Sequence, residues 1–288
     1  MHRNFKKIFT FSATSLILFT SMATVITSNE KISVQASTQT GRQIKLKGTV
    51  NIRDLGGYQN TKGKTIKYKK LIRAAQLNTA TKADLNKLKD NYNVGIDIDF
   101  RTPSEIAKAN DPKINGIKYV KAPVVSDKEN KADIKVFNKN GEKGMLLYYT
   151  YFINQNGRKN YRKLFNELLH APKDKAVLYH CSYGKDRTGF ATALILTALN
   201  FDKKKIYHDY LLSNKYRAKA TNSDLTSMKK NGATKLAIKN EYYNDIVEKQ
   251  YLDQAYKLAE QKYGSMMGYL KKGIGLSIHE LKNYKLNI

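Results

Sequence analysis

Apolar and polar positions along this chain follow two different periods, one typical of strands and one of helices. Residues 94–100 (VGIDIDF) alternate with period two, which predicts a strand with Asp97 and Asp99 on one side. Residues 176–179 (AVLY) form a short apolar run that predicts a buried strand. Residues 188–200 (TGFATALILTALN) are almost wholly apolar and rich in helix formers, which predicts a core helix. Strands that alternate with helices indicate an α/β protein.

Weaker patterns extend this prediction over the rest of the chain. We expect further strands over residues 48–54, 64–73 and 117–121, and helices over 82–92, 161–170, 202–212, 221–239 and 242–262, with a last helix that begins at Ser277. Residues 126–143 are charged and weakly patterned, so we expect a mobile surface segment or lid. Residues 144–153 (GMLLYYTYFI) are apolar and aromatic, which favours core over a substrate entrance.

A short loop lies between the predicted strand at 176–179 and the predicted core helix, and it holds Cys181, the only cysteine of 288 residues. In a strand-loop-helix unit, the loop N–H groups and the positive end of the helix dipole face one spot, which favours an anion. The same field favours a thiolate, so Cys181 is a candidate nucleophile. Arg187, six residues later, has the planar fork of donors that binds two phosphate oxygens. Thr188 can offer its hydroxyl to the sulfur.

The other residues of this loop have expected roles around the same anion. Ser182, Tyr183, Gly184 and Lys185 are expected to surround a phosphate, with the charge of Lys185 on the rim. His180 precedes the cysteine and either orients the loop or is a core histidine with satisfied hydrogen bonds.

Polar residues beside other predicted strands offer further candidates. Asp99 and Arg101 lie at the end of a predicted parallel strand, at the sheet edge where ligands bind, although a solvated strand end with a helix cap is the alternative. Arg53 and Asp54 are interpreted as a structural ion pair.

The sequence HCSYGKDRTG at residues 180–189 resembles the signature of cysteine-dependent protein tyrosine and dual-specificity phosphatases. Its C-x-x-G-K-D-R-T-G form is similar to a bacterial branch of secreted, Listeria-type tyrosine and phosphoinositide phosphatases that includes mycobacterial protein tyrosine phosphatase B. The motifs NIRDLGG (51–57), DFRTPSE (99–105), DYLLSN (209–214) and YGS (263–265) follow in the order of that family. The resemblance covers residues 45–285.

This resemblance implies a protein tyrosine phosphatase-like fold, with a central, mostly parallel sheet flanked by helices and a helix-rich C-terminal part. It also implies a phosphocysteine intermediate and makes Asp186 the general acid, with Asp99 and Asp127 as alternatives. A helix cap is the structural alternative for Asp186. Lys185 is similar to residues of lipid phosphatases, so phosphoinositides join phosphotyrosine proteins as expected substrates.

The N-terminal residues predict export. Arg3, Lys6 and Lys7 precede an uncharged apolar run at residues 8–26, and a small-residue cleavage pattern ends at Ala36. We predict a signal peptide over 1–36, a flexible leader over 37–45 and a phosphatase domain over 46–288. An uncleaved membrane anchor is the alternative. The expected location is outside the cell, with association to the cell surface as a further possibility.

The formal charge of +28 comes from lysines that are scattered over every segment. This distribution favours an anionic membrane or cell-wall surface over a specific nucleic-acid groove. The five histidines show no metal-ligand spacing, so we predict no metal and no cofactor. We expect a monomer.

Three alternative functions remain beside a tyrosine phosphatase. One is a phosphoinositide-preferring lipid phosphatase. A second is a sulfurtransferase or arsenate reductase, which the Arg-Thr-Gly ending and the lack of a second cysteine disfavour. The third is a non-catalytic, basic surface-binding protein that retains a phosphate pocket.

Overall fold

The computed structural model describes residues 42–287, and the strands in this range form one six-stranded sheet. They are β1 (Arg42–Gln43), β2 (Arg53–Asp54), β3 (Leu71–Ala74), β4 (Val94–Asp99), β5 (Lys118–Lys121) and β6 (Ala176–His180). Their order across the sheet is β1-β2-β3-β6-β4-β5. The first three strands pair antiparallel, whereas β3, β6, β4 and β5 pair parallel. The expected mostly parallel sheet is confirmed.

Helices cover both faces of the sheet and make up the chain after β6. They are α1 (Lys82–Asn86), α2 (Pro103–Lys108), α3 (Asp127–Phe137), α4 (Gly141–Thr150), α5 (Gln155–His170), α6 (Arg187–Ala198), α7 (Lys203–Lys230), α8 (Lys235–Asp245), α9 (Lys249–Tyr263), α10 (Met266–Gly268) and α11 (Ile278–Asn287). The π-helical turns Lys87–Asn91 and Tyr269–Gly273 extend α1 and α10, and the 3₁₀ turn Tyr151–Ile153 follows α4. The flanking helices and the helix-rich C-terminal part are therefore confirmed.

The core divides into two clusters of buried side chains. The larger contains most of α6, together with aromatic residues of α4, α5 and α9. The smaller cluster packs Ile44, Ile72 and Leu178 with Leu88. Because α6 is buried on nearly every side, its amino end is held rigidly against the carboxyl end of β6.

Several predicted elements match the structure closely. The strands at 94–100, 117–121 and 176–179 are β4, β5 and β6, and the core helix is α6. The aromatic run 144–153 belongs to α4 and the following turn, where Tyr149, Phe152 and Ile153 are fully buried, so it is core. The predicted last helix is α11, and a capping box precedes it: Glu280 accepts from the Ser277 N–H, and the Ser277 hydroxyl accepts from the Glu280 N–H.

Other predictions were wrong. Residues 126–143 are not a loose segment: Ser126 caps α3 through a capping box with Glu129, and α3 packs against α4. Residues 48–54 and 64–73 contribute only the short strands β2 and β3, since turns occupy most of both stretches. The predicted break near residue 212 is absent, because α7 runs on to Lys230.

The predicted flexible leader over 37–45 stays a prediction, although its last residues contact the sheet and the core. Arg42–Gln43 pairs with β2, and Ile44 is 2% exposed. The predicted signal peptide over 1–36, like residues 37–41, lies outside the described residues. Within residues 42–287, no helix combines the length and the apolar character that a membrane span requires.

Candidate active site

The loop 181–186 joins the carboxyl end of β6 to the amino end of α6. β6 lies between β3 and β4, so the loop stands at the middle of the parallel part of the sheet. Cys181 follows β6 directly and is 1% exposed. The first N–H groups of α6 have no partner within the helix, and the helix dipole adds positive potential at the same place. The site therefore favours an anion beside the sulfur.

Donors outside the loop hold its carbonyl oxygens. The Asn51 amide donates to the carbonyl of Tyr183 at 3.1 Å and to that of Gly184 at 2.9 Å. The Arg73 guanidinium also donates to the Gly184 carbonyl, at 2.7 Å. Gly184 has a φ of +66°, and a Cβ there would stand 2.4 Å from the Ala74 carbonyl oxygen. These contacts fix the loop shape and leave its N–H groups for a ligand.

A buried group of charges supports this loop from below. Asp209, fully buried, accepts from Arg53 Nε at 2.9 Å, from Arg73 Nη1 at 2.5 Å and from the Tyr58 hydroxyl at 3.0 Å. The interpretation of Arg53 and Asp54 as an ion pair was wrong. Asp54 instead accepts from two backbone N–H groups, because adjacent strand residues point to opposite faces of the sheet.

The guanidinium of Arg187 lies in the site and is already oriented. Its Nη1 and Nη2 donate to the two carboxylate oxygens of Glu105 at 2.5 and 2.8 Å, and Nη2 lies 3.2 Å from Ser182 Oγ. Ser182 in turn donates to Glu105 at 2.7 Å. Burial raises the pKa of Glu105, but the charge and hydrogen bonds of Arg187 outweigh it and hold the pKa at about 2. This bidentate pair fixes the plane of the guanidinium.

Lys185 does not lie on the rim, so that prediction was wrong. Its side chain is fully buried, and Nζ contacts both carboxylate oxygens of Asp186, at 2.9 and 2.8 Å, and the Ile246 carbonyl at 3.1 Å. Burial lowers the pKa of Lys185, although Asp186 opposes this. Asp186 also accepts from the Tyr149 hydroxyl at 2.8 Å and makes no side-chain cap on α6. Lys185 therefore contributes to the site by its buried ion pair with Asp186.

His180 and Asp99 belong to a buried charge network behind the loop. His180 Nε2 lies 3.3 Å from Asp97 and 3.2 Å from Asp111, and Nδ1 lies 4.0 Å from Asp99. Burial lowers the pKa of His180, but the carboxylates outweigh it and raise the pKa to about 10. Burial raises the pKa of Asp99, yet His180 and Arg101 hold it at about 2. The surrounding carboxylates therefore favour the charged imidazolium at the residue that precedes Cys181.

Three of these side chains lie close enough to be considered as metal ligands. Ligand atoms of Asp99, Asp111 and His180 are within 4.8 Å of one another. Arg101, however, donates to Asp99 and to Asp111 at 2.7 Å each, so a guanidinium already occupies the place of a cation between them. The donor set thus suits an internal ion-pair network better than a metal ion.

A cleft of about 380 Å³ opens above the loop. Of the predicted site residues, Ser182, Tyr183, Asp186 and Arg187 line it. Cys181 is almost fully buried, and it lies close enough to Arg187 and Lys185 for their charges to interact with its sulfur.

Three further predicted residues lie outside the lining of this cleft. Thr188 Oγ1 is buried and has no hydrogen-bond partner among residues 42–287. Asp99 is committed to Arg101. Asp127, an alternative acid, is at the start of α3 and accepts from the Ser104 hydroxyl.

A family model described as the tyrosine phosphatase family matches residues 44–288, nearly all of the described chain. The chain belongs to the tyrosine phosphatase family. It is 27% identical over 256 residues to a protein of Cupriavidus necator provisionally named a tyrosine-protein phosphatase, covering 87% of this chain and 91% of that one. It is 26% identical over 221 residues to a tyrosine-protein phosphatase of Nostoc commune, covering 75% and 73%. The triple specificity protein phosphatase PtpB of Mycobacterium tuberculosis is 32% identical over 133 residues, covering 43% and 47%.

Membership of the tyrosine phosphatase family confirms the predicted enzyme class, a protein-tyrosine phosphatase. Two cleft residues of this phosphatase were nevertheless missed from the sequence. Glu105 was quoted within the DFRTPSE motif but given no role, although a capping box with Thr102 placed it at the start of α2. Asp133 was hidden in a segment that looked unstructured. The capping-box spacing from Ser126 to Glu129 was the signal that could have revealed α3.

Proposed function

We propose that this phosphatase hydrolyses phosphotyrosine proteins through a phosphocysteine intermediate. The observation that carries the proposal is the oriented Arg187 guanidinium beside a buried Cys181 at the amino end of α6. This arrangement supports a phosphoryl group whose oxygens are bound by loop amides and by the guanidinium.

The chemistry follows from these positions. The Cys181 thiolate attacks phosphorus while the bond to the leaving oxygen breaks, and the loop amides and Arg187 stabilise the charge of the transferring group. The leaving oxygen needs a proton, and Asp186 remains the sequence-based prediction for its donor. Water then attacks the phosphocysteine, releases phosphate and restores the thiolate.

Phosphoinositide hydrolysis is the second candidate activity. A groove of about 630 Å³ shares Gln76, Ser182 and Tyr183 with the cleft and adds Lys47 and Arg217 to its wall. Cationic side chains beside the first phosphate site favour a substrate that carries several phosphates. Arg217 is paired with Asp245 at 2.7 Å, and Asp224 also lines the groove. Lys47 is therefore the cation of this groove that makes no ion pair among residues 42–287.

We further propose that the protein is exported and acts at or near an anionic surface. The support is the apolar run behind Arg3, Lys6 and Lys7, and the strong excess of lysine and arginine. Expression of the full chain in a bacterial host, with the culture medium assayed for a protein shortened at its amino end, tests export.

Hydrolysis of para-nitrophenyl phosphate by wild type and by Cys181→Ser tests the catalytic proposal. We expect activity in wild type and none in the variant, with the same melting temperature for both. Activity retained in Cys181→Ser would exclude the phosphocysteine. A folded but inactive wild type that still binds phosphate would instead support a non-catalytic surface protein. A panel of phosphotyrosine peptides, phosphoserine peptides and phosphoinositide vesicles then ranks the substrates.

A further inference from the structure

Asp133, on the buried side of α3, faces the same cleft as Ser182, Asp186 and Arg187. It is only 6% exposed, and its Oδ1 has no hydrogen-bond partner within the described part of the chain. Ion pairs and hydrogen bonds normally compensate a buried carboxyl, because a desolvated charge is costly. A buried carboxyl that opens into a cleft without such a partner is suited to hold a proton and to release it to a ligand.

Asp186 has the opposite surroundings. Its two oxygens lie 2.9 and 2.8 Å from Lys185 Nζ, and Oδ1 also accepts from the Tyr149 hydroxyl at 2.8 Å. All of these contacts are made to the carboxylate oxygens, so both oxygens of Asp186 are already engaged. Asp133, in contrast, has an oxygen in the cleft that lacks a hydrogen-bond partner within residues 42–287.

The two carboxyls also act on each other. Burial and the nearby negative charge of Asp186 raise the pKa of Asp133 to about 7. The neighbouring groups that face α3 are Tyr148 and Tyr151 after it in the chain, and Glu105, Asp186 and Arg187 across the cleft. Arg187 is neutralised by Glu105. Near neutral pH a large share of Asp133 is thus protonated.

We propose that Asp133 is the general acid that protonates the leaving oxygen, and that the neighbouring carboxylate of Asp186 favours the proton on Asp133. This proposal rests on the proposed phosphatase mechanism. As the Cys181 sulfur bonds to phosphorus, the bond from phosphorus to the leaving oxygen breaks and that oxygen takes the Asp133 proton. The products are phosphocysteine and a neutral alcohol or phenol. The Asp133 carboxylate then accepts a proton from the attacking water, the sulfur–phosphorus bond breaks, and phosphate leaves.

The test compares Asp133→Asn with wild type on two substrates that differ in leaving group. A phosphotyrosine peptide has a basic leaving group that needs a proton, whereas para-nitrophenolate leaves readily without one. We expect kcat/KM for the peptide to fall about 10²- to 10⁴-fold, and that for para-nitrophenyl phosphate to fall far less. The basic limb of the pH profile for kcat should disappear, and Asp133→Glu should restore part of the peptide activity.

Two further variants keep the test decisive. Asp174→Asn makes the same change at an exposed turn on the opposite edge of the sheet and should leave both substrates unaffected. Asp186→Asn removes the neighbouring charge, so it should move the basic limb to lower pH without abolishing it. If Asp186→Asn abolishes that limb, Asp186 is the acid and the proposal is wrong, even where Asp133→Asn fails to fold.

Equal losses on both substrates in Asp133→Asn would also overturn the proposal, because they would indicate a structural role. These outcomes are distinct from failure of the phosphatase mechanism, which would appear as full activity in Cys181→Ser or none in wild type.

Discussion

Replacing Asp209 by asparagine removes the carboxylate that binds both Arg53 and Arg73 in the buried group beneath the catalytic loop. All three side chains are fully buried, so solvent cannot take over the role of the lost charge. Two guanidiniums would face a neutral amide, whose NH₂ group is itself a donor. We therefore expect a large loss of stability with little change in side-chain volume.

The size of this loss can be worked from the electrostatics of the site. Burial raises the pKa of Asp209, but Arg53 and Arg73 outweigh burial and lower the pKa from 3.8 to about 2. This difference corresponds to about 2 kcal/mol in favour of the charged form in the folded protein. Removal of one partner from a buried pair costs about 3–5 kcal/mol, since the other charges remain uncompensated. We expect the variant to lie in that higher range.

The pH dependence has a defined sign. Because the folded pKa of Asp209 lies below the unfolded value, its contribution is present above about pH 4 and is lost as the pH falls through about 2. In Asp209→Asn this acid-dependent loss should be missing. Urea unfolding followed by circular dichroism, repeated across this range, measures both effects.

Asp133→Asn is the matched control for that measurement. It makes the same substitution at a carboxyl that is 6% exposed but has no positive partner among residues 42–287. Because the folded pKa of Asp133 is raised, its ionisation opposes folding as the pH rises through about 7. Its replacement should leave stability unchanged or raise it at about pH 8. A loss below about 1 kcal/mol in Asp209→Asn, or equal losses in both variants, would refute the reasoning.

Glu105→Gln should lower kcat/KM by about tenfold in steady-state assays, because it weakens the bidentate contact that orients Arg187. The melting temperature should stay unchanged, since Glu105 is partly exposed. Unaltered kinetics would contradict the orienting role of Glu105. Gly184→Ala should abolish most activity, since the new Cβ would meet the Ala74 carbonyl at 2.4 Å. Gly63→Ala is its control, with a φ of +73° but nothing within 4 Å, so activity should survive there. Comparable losses in both glycine variants would point to backbone strain alone.

Much of the fold could be predicted because its signals are local. The alternation in β4 and the apolar run of β6 are determined by side chains within each strand. The same holds for α6, whose almost continuous apolar sequence predicted its burial. Errors occurred where local chemistry was ambiguous, as in α3, whose charged sequence gave no clear apolar face and whose helix depends on packing against α4.

The sequence by itself determined the strand-loop-helix unit that carries Cys181 and Arg187. The two residues are only six positions apart, so the short segment itself places the nucleophile and the guanidinium together at the amino end of a helix. It also determined the family, through the same segment. Only the tertiary structure decided which carboxylates reach that segment. Glu105 and Asp133 come from helices far away in the chain, and Lys185 turns inward to Asp186. The physical reason is that electrostatic partners are chosen by distance in the folded protein, which sheet crossovers and helix packing set and residue spacing does not encode.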